Sequence, residues 1–426
     1  MTKSKTYKTK GAAAIVTAAV LALIALFGMT ACSNAAQPDA GGNSAGTSTP
    51  KYTIHFSVGS GLGTLKAQVD GKEIHTGDSV EQGKSIVFTA EPAQDYVLGQ
   101  WTNAGTVIGE ASTNTSYNYT VTANADIKVK FQAPFIEGGA SLILSPDKLD
   151  IEVGVRTSDG TPVTVEGCTE TELQSGTQTT TLHAKGTRVI LKGKITDLDC
   201  RYLNRLTALN VQGLTYLRFL SCYVNQLTAL NVQGLTALQR LSCQDNRLTE
   251  LNVQGLTALQ VLDSRHNKLI ALNVQGCTAL RYLSCWNNQL TALNVQGLTA
   301  LQSLVCDSNR LTALNVQDLP ALQGLSCVGN QLTALNVQGC TALRSLSCCV
   351  NQLNADAFKK LFDDLPQRQD SDDAKCILYT EKNGVTEGNH TDFTAPSDLA
   401  AAFNNAKNNK KWKMCKTDIG WNKVEI

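Results

Sequence analysis

The 426-residue chain carries 37 Lys plus Arg against 36 Asp plus Glu, with only 17% charged and 6% aromatic residues, a length that allows two or three domains. Four of the lysines fall within the first ten residues, and without them 33 basic side chains face 36 acidic ones, a net charge of about −3. That balance lacks the basic footprint of a nucleic-acid binder, and only one long apolar run exists, so a polytopic membrane protein is excluded as well.

Lys3, Lys5, Lys8 and Lys10 precede an apolar stretch from Ala12 to Phe27, and Gly28-Met29-Thr30-Ala31-Cys32 follows. A basic start, a short apolar run and small residues before a cleavage point predict a secretory signal peptide over residues 1–31. The segment Met29–Cys32 resembles a bacterial lipobox, with Met29 where Leu is usual. The resemblance implies that Cys32 becomes the first mature residue, receives diacylglycerol and anchors the exported protein at the cell surface or outer membrane. Residues 32–50, rich in Gly, Ser, Ala and Thr, then read as a flexible tether.

From residue 51 to 132 the pattern alternates, as in Tyr52-Thr-Ile54-His-Phe56-Ser-Val58, Ser85-Ile-Val-Phe88-Thr-Ala90 and Ile127-Lys-Val129-Lys-Phe131. Period-two runs bounded by Gly, Asn and Asp predict a small all-β domain with Trp101 in its core. Gly83, the run Val87–Pro92, Tyr96, Trp101 and the closing strand resemble the divergent B-repeat of internalins and other bacterial surface proteins, where such modules act as spacers or weak interaction units. Two motif matches are decoys. Gly83-Lys84-Ser85 leads into a strand rather than a helix and is wrongly spaced from Gly77 for a phosphate loop. Gly42-Asn43-Ser44-Ala45-Gly46 fits a nucleophile elbow but sits in the tether. Residues 133–194 read as a linker and N-terminal cap.

Residues 195–353 hold an internal repeat of 21 residues. Asn225, Asn246, Asn267, Asn288, Asn309, Asn330 and Asn351 recur at that spacing, and the consensus is LxxLxCxxNxLTALNVQGLTA. A degenerate copy, with Ile195, Leu198, Cys200, Asn204 and Leu206, begins the array. The motif resembles the leucine-rich repeat family, which implies a mostly β solenoid of seven coils plus caps. The second half of each copy also reads LxxLxV, predicting strand-like backbone on two sides of every coil. Each Asn is expected to satisfy buried backbone groups at a bend.

Cys222, Cys243, Cys285, Cys306, Cys327 and Cys348 share one inward position, with Ser264 in the third coil and Cys200 at the start of the row. Reduced, buried thiols are the favoured reading; disulfides within the ladder fit the stacking geometry less well, and a linear row offers no tetrahedral metal site. Cys277 and Cys340 replace core leucines. Cys349 is expected on the outward face as an exposed thiol, while Cys168, Cys376 and Cys415 leave several pairings open.

The TALNVQG half is nearly constant, so its variation is expected to carry no message. On the LxxLxC strand, positions three, five and seven point onto the concave sheet. Position five is mostly Ser, whereas positions three and seven place large residues in coils one to four and small ones in coils five to seven. The candidate ligand-binding residues are therefore Phe219, Tyr223, Arg240, Arg265, Tyr282 and Trp286, since exposed aromatics interleaved with arginine compose protein-binding hot spots. His266 reads as an edge contact.

Residues 354–426 predict a C-terminal cap with a helix from Asn354 to Pro366, a strand over Cys376–Tyr379 and a helix over Ser397–Asn405. Five histidines form no metal spacing and no nucleophile-and-base motif survives its context, so no catalytic residue, metal or cofactor is expected and the protein is not expected to be an enzyme. The whole resembles leucine-rich repeat lipoproteins of spirochaetes and related repeats in Bacteroidetes. That resemblance implies an adhesin whose partner is a host or bacterial surface protein. An envelope scaffold that binds another membrane protein of the same cell is the alternative.

Overall fold

Alternation in the first domain folds into two facing sheets. The computed structural model describes residues 49–108, 114–176, 178–202, 205–418 and 422–426; Cys32, the signal segment, the tether with its Gly42–Gly46 decoy, and Asn204 lie outside them. One sheet joins Lys51–Ser60, Ala125–Gln132 and Val97–Asn103 with two short edge strands, and the other joins Gly63–Val69, Ser85–Pro92 and Ser116–Thr120 with Lys72–Ile74. Their inward residues, among them Ile54, Phe88, Ile127 and Phe131, are fully buried or nearly so. Trp101 is fully buried in the same cluster, and its indole Nε1 donates to Asn114 O at 3.0 Å.

A mostly β solenoid follows, as the repeat predicts. The strands Phe219–Ser221, Arg240–Ser242, Val261–Asp263, Tyr282–Ser284, Ser303–Val305, Gly324–Ser326 and Ser345–Ser347 pair in parallel, each shifted by one repeat. A constant period forces this register, because any other would turn the leucines out of the core. Ile195–Asp199 precedes them as a leading coil, parallel to Phe219–Ser221. The leucine and cysteine rows are buried in one continuous core.

Antiparallel strands close both ends of the resulting 13-stranded sheet. Asp150–Thr157 pairs with the leading coil and Thr180–His183 forms the outermost strand beyond it; Lys375–Thr380 and Lys413–Thr417 extend the other end in parallel, and Lys423–Glu425 turns back. Helix α1 (Ala355–Asp364) is capped by Asn354, whose side chain accepts from Ala357 N at 2.9 Å, and it buries Phe358, Leu361 and Phe362. Helix α2 (Ser397–Asn404) packs its buried Leu399 and Ala402 into the same core.

Strand on two sides of every coil is not what forms. Among the described repeat residues, coil pairs with coil on the second side only as Glu250–Asn252 with Ala271–Asn273 and Leu314–Asn315 with Leu335–Asn336, while Leu206–Asn210 of the leading coil pairs antiparallel with Gly139–Leu144 of the cap. Paired or not, each coil leaves this side through an Asn-Val-Gln turn in which the Asn side chain accepts from the Gln backbone two residues on, as Asn231 Oδ1 does from Gln233 N and Asn252 Oδ1 from Gln254 N, both at 3.0 Å.

The asparagine row is a chain of staples. Asn246 Nδ2 donates to Cys222 O at 3.0 Å and Cys243 O at 3.1 Å, and its Oδ1 accepts from Leu227 N at 3.0 Å in the preceding coil. The same set recurs at the other repeat asparagines, including Asn288, which serves Leu269 N at 2.9 Å. Immediately before each ladder Asn stands one left-handed residue: Val224, Asp245, His266, Asn287, Ser308, Gly329 or Val350. The last staple comes from the cap, where Asn389 Oδ1 accepts from Leu353 N and its Nδ2 donates to Cys348 O, both at 2.9 Å.

All thirteen described cysteines are free thiols, including Cys168, Cys376 and Cys415. Cys277 and Cys340 lie in the core as expected, their Sγ atoms 3.1 Å from Val253 O and Val316 O. Cys349 departs from expectation: it is buried, packed with Ile377 and Cys415. The cap strands extend the sheet and bring these side chains onto the same face, which covers it.

The small β domain docks on the second side of the solenoid. Gly61 N donates to Thr228 Oγ1 at 3.0 Å, Asn210 Nδ2 donates to Ala133 O at 3.0 Å, and Lys130 pairs with Glu250. Glu250 stands where most other coils have Ala, so variation in the TALNVQG half does carry a message: it marks a domain contact.

Candidate functional face of the long sheet

Strand alternation sets the chemistry of the outer face. Leu220 and Cys222 point inward and are buried, which leaves Phe219, Ser221 and Tyr223 partly exposed between them. Because the strands are in register, Phe219, Arg240, Val261 and Tyr282 form one row across four adjacent strands. Arg240 is exposed and lays its guanidinium over the Phe219 ring, 5.8 Å from the centroid.

A second row holds Tyr223, Arg265 and Trp286. Arg201 Nη1 donates to Tyr223 Oη at 3.1 Å, and Tyr202 meets the Tyr223 ring edge-on at 4.7 Å between centroids. Arg265 Nε lies 3.6 Å from Asp263 Oδ2; burial pushes the Asp263 carboxyl up, and Arg265 opposes that shift. Trp286 is partly exposed and packs edge-on against His266, with 4.0 Å between centroids. His266 in turn is held by Asn287 Nδ2, 2.6 Å from its Nδ1. The imidazole is thus an edge contact that supports the indole.

Tyr282 is partly exposed between Val261 and Ser303 in the first row. Two polar side chains among these rings are buried and carry an atom with no protein partner: Gln244 Oε1, at position seven of coil two, and Ser284 Oγ, between Tyr282 and Trp286. Buried polar atoms are nearly always paired, so two on one face call for an explanation. Farther along, Asp307 Oδ1 accepts from Ser326 Oγ at 2.6 Å and Val328 N at 2.8 Å, so coil five presents a carboxylate already engaged within the sheet.

Sequence reasoning missed Arg201 and Tyr202. Their signal was present: with Cys200 at position six of the leading coil, Arg201 falls at position seven and Tyr202 at eight, in phase with Tyr223 and with His266. Among the described residues, no group of three or more His, Cys, Asp or Glu side chains is placed to hold a metal ion.

No curated protein matches the chain. Among solved structures, the chain is similar to the functional domain of InlJ from Listeria monocytogenes, described as including a cysteine ladder. The likeness has 35% sequence identity and a TM-score of 0.38, over 43% of this chain and 39% of that one. This chain therefore spans well under half of the chain it matches. The small β domain is similar to the divergent InlB B-repeat family, whose model matches residues 63–134.

Proposed function

We propose that the protein is a lipid-anchored surface adhesin that binds a protein partner with the outer face of its long sheet, and that its role is binding rather than catalysis. The observation that carries the reading is the pre-arranged set of rings and guanidinium groups on the leading coil and coils one to four. Phe219 with Arg240, Tyr223 with Arg201 and Tyr202, and Trp286 with His266 are held by neighbours before any partner arrives. Aromatic and arginine anchors fixed in advance lose little side-chain freedom on binding. Buried Gln244 Oε1 and Ser284 Oγ, both without protein partners, supply hydrogen-bonding capacity beneath them.

Cys32 is the proposed lipid attachment point, with residues 32–50 as the tether. A binding screen of the protein against host and bacterial surface proteins tests the reading, paired with protease treatment of intact cells. Cleavage on intact cells with a host partner supports the adhesin. Protection from protease, with a partner from the same envelope, supports the scaffold instead. A partner whose affinity is untouched by Trp286→Ala and Tyr282→Ala would remove the face assignment.

A further inference from the structure

Between the small β domain and the second side of the solenoid lies a cleft of about 760 Å³. Gln100, Lys130 and Gln132 form one wall, and residues of coils one to four form the other. Coils one to four advance three steps, about 15 Å at the strand spacing of ~4.8 Å. Clefts between domains are favoured places for ligands.

Two departures from the repeat consensus fall in this cleft. Glu250 replaces Ala and pairs with Lys130, so the cleft carries both signs of charge in balance. Ile270 replaces the Thr found in most other coils and is 62% exposed. Neither serves the solenoid core, since both side chains point away from it.

The polar part of the remaining solenoid wall is mostly amide, set among aliphatic side chains such as Leu230, Leu251 and Leu272. Asn231, Asn252 and Asn294 each turn Oδ1 toward the backbone N–H of the Gln two residues on, at 3.0 to 3.1 Å. Gln233 Nε2 and Gln275 Nε2 donate to Asn252 O and Asn294 O in the following coils, at 2.7 and 2.9 Å. These bonds fix which way each amide faces. They leave the Nδ2 donors of Asn231, Asn252 and Asn294, and the Oε1 acceptors of Gln233 and Gln275, without a partner among the described residues.

We propose that this cleft binds a neutral oligosaccharide. Amide donors and acceptors along a groove whose two charges are paired with each other match hydroxyl groups, which both donate and accept. Ile270 offers an apolar surface for the C–H face of a sugar ring. The coil step sets the spacing of the amides, and it suits one pyranose ring per coil. An extended peptide advances about 3.3 Å per residue, out of step with coils ~4.8 Å apart. The balanced charge of Lys130 and Glu250 gives no advantage to a polyanionic glycan or an acidic peptide.

The test is calorimetric titration of the full chain in detergent with β-1,4-linked hexamers of glucose, mannose and N-acetylglucosamine, beside a heparin hexamer and a Ser/Asn hexapeptide. At least one neutral hexamer should bind saturably. Asn252→Ala and Ile270→Thr should each weaken it about fivefold or more, while Trp286→Ala, on the other face, leaves it unchanged. Ile270→Thr restores a residue that most other coils already hold, so its melting temperature should match the parent and loss of binding cannot be loss of fold. The proposal is overturned if no neutral hexamer binds, if both cleft variants bind as the parent does, or if the heparin hexamer or the peptide binds more tightly.

Discussion

Trp286 stands edge-on to His266, with ring centroids 4.0 Å apart and the rings at 68°, although the two residues come from neighbouring coils. The contact fixes a large partly exposed ring on the outer face through a residue that itself holds a left-handed backbone, φ 51°. If this arrangement is an anchor, Trp286→Ala and Tyr282→Ala should each weaken partner binding by about 2 kcal/mol or more. Changes at Ser303, Gly324 or Ser345 should matter little. An alanine scan with its losses in coils five to seven would contradict the assignment.

Lipid attachment is checked separately. Metabolic labelling with a fatty-acid analogue should mark the wild-type protein, and Cys32→Ala should abolish the label and leave the precursor uncleaved. Label that persists in the variant would rule out Cys32 as the acceptor.

The core separates packing from thiol chemistry. Leu283→Ala should cost about 2–5 kcal/mol in denaturant unfolding by opening a cavity, whereas Cys285→Val, a buried small apolar replacement, should cost under about 1.5 kcal/mol. Burial pushes the Cys285 thiol up to about 12, and Cys349 likewise to about 12. Folded protein at pH 8 should therefore leave both unalkylated. Titration without reductant after unfolding should find most ladder thiols free, and fewer than about half would point to disulfides.

Each ladder asparagine satisfies groups in two coils at once. Asn288→Ala would strand Leu269 N in a buried bend and take one of two asparagine donors from each of the Ser264 and Cys285 carbonyls, which keep Asn267 and Asn309. The expected loss is about 3 kcal/mol, read from the urea midpoint. An equal loss on changing exposed Gln331 would show that the effect is not specific to the ladder.

Asp307 provides a pH signature. Its carboxyl is pushed above the ordinary 3.8, first by burial, with the bonds from Ser326 and Val328 opposing. A raised folded value means that the folded state holds the proton more tightly than the unfolded one. Its contribution is therefore complete below about 3.8 and is lost as pH rises through the folded value. Asp307→Asn keeps an oxygen for Ser326 Oγ and Val328 N and removes the buried charge. It should melt higher than the parent at pH 7 and alike at pH 3; a lower melting temperature at pH 7 would show that the carboxylate is favourable.

The repeat made the solenoid legible because a constant period dictates register: once Leu220 is inward, Phe219, Arg240, Val261 and Tyr282 must share a row. The cap helices were legible from Asn354 and the spacing of Phe358, Leu361 and Phe362. What had no period was lost. The strands Lys413–Thr417 and Lys423–Glu425 are short and out of phase with the array, so their pairing is decided by the edge they cover. Burial of Cys349 depends on Ile377 of Lys375–Thr380 and on Cys415 of Lys413–Thr417, and the second of these had no signal in the sequence. Arg201 and Tyr202 were legible through the phase of Cys200, since the extra residue of the degenerate leading coil falls after them and displaces only Asn204 and Leu206. The cleft was invisible for a different reason, since docking of two domains makes it and no single segment encodes it.

The staples also point one way along the chain. Each Leu N–H, from Leu206 to Leu353, waits for an asparagine that lies later in the sequence. A chain that emerges N-terminus first from a narrow exit thus presents, at every moment, one newest coil whose bend is unfinished, and each arriving repeat completes the one before it. Growth of the folded part is a ratchet with a moving open end, and Asn389 is the residue that shuts it.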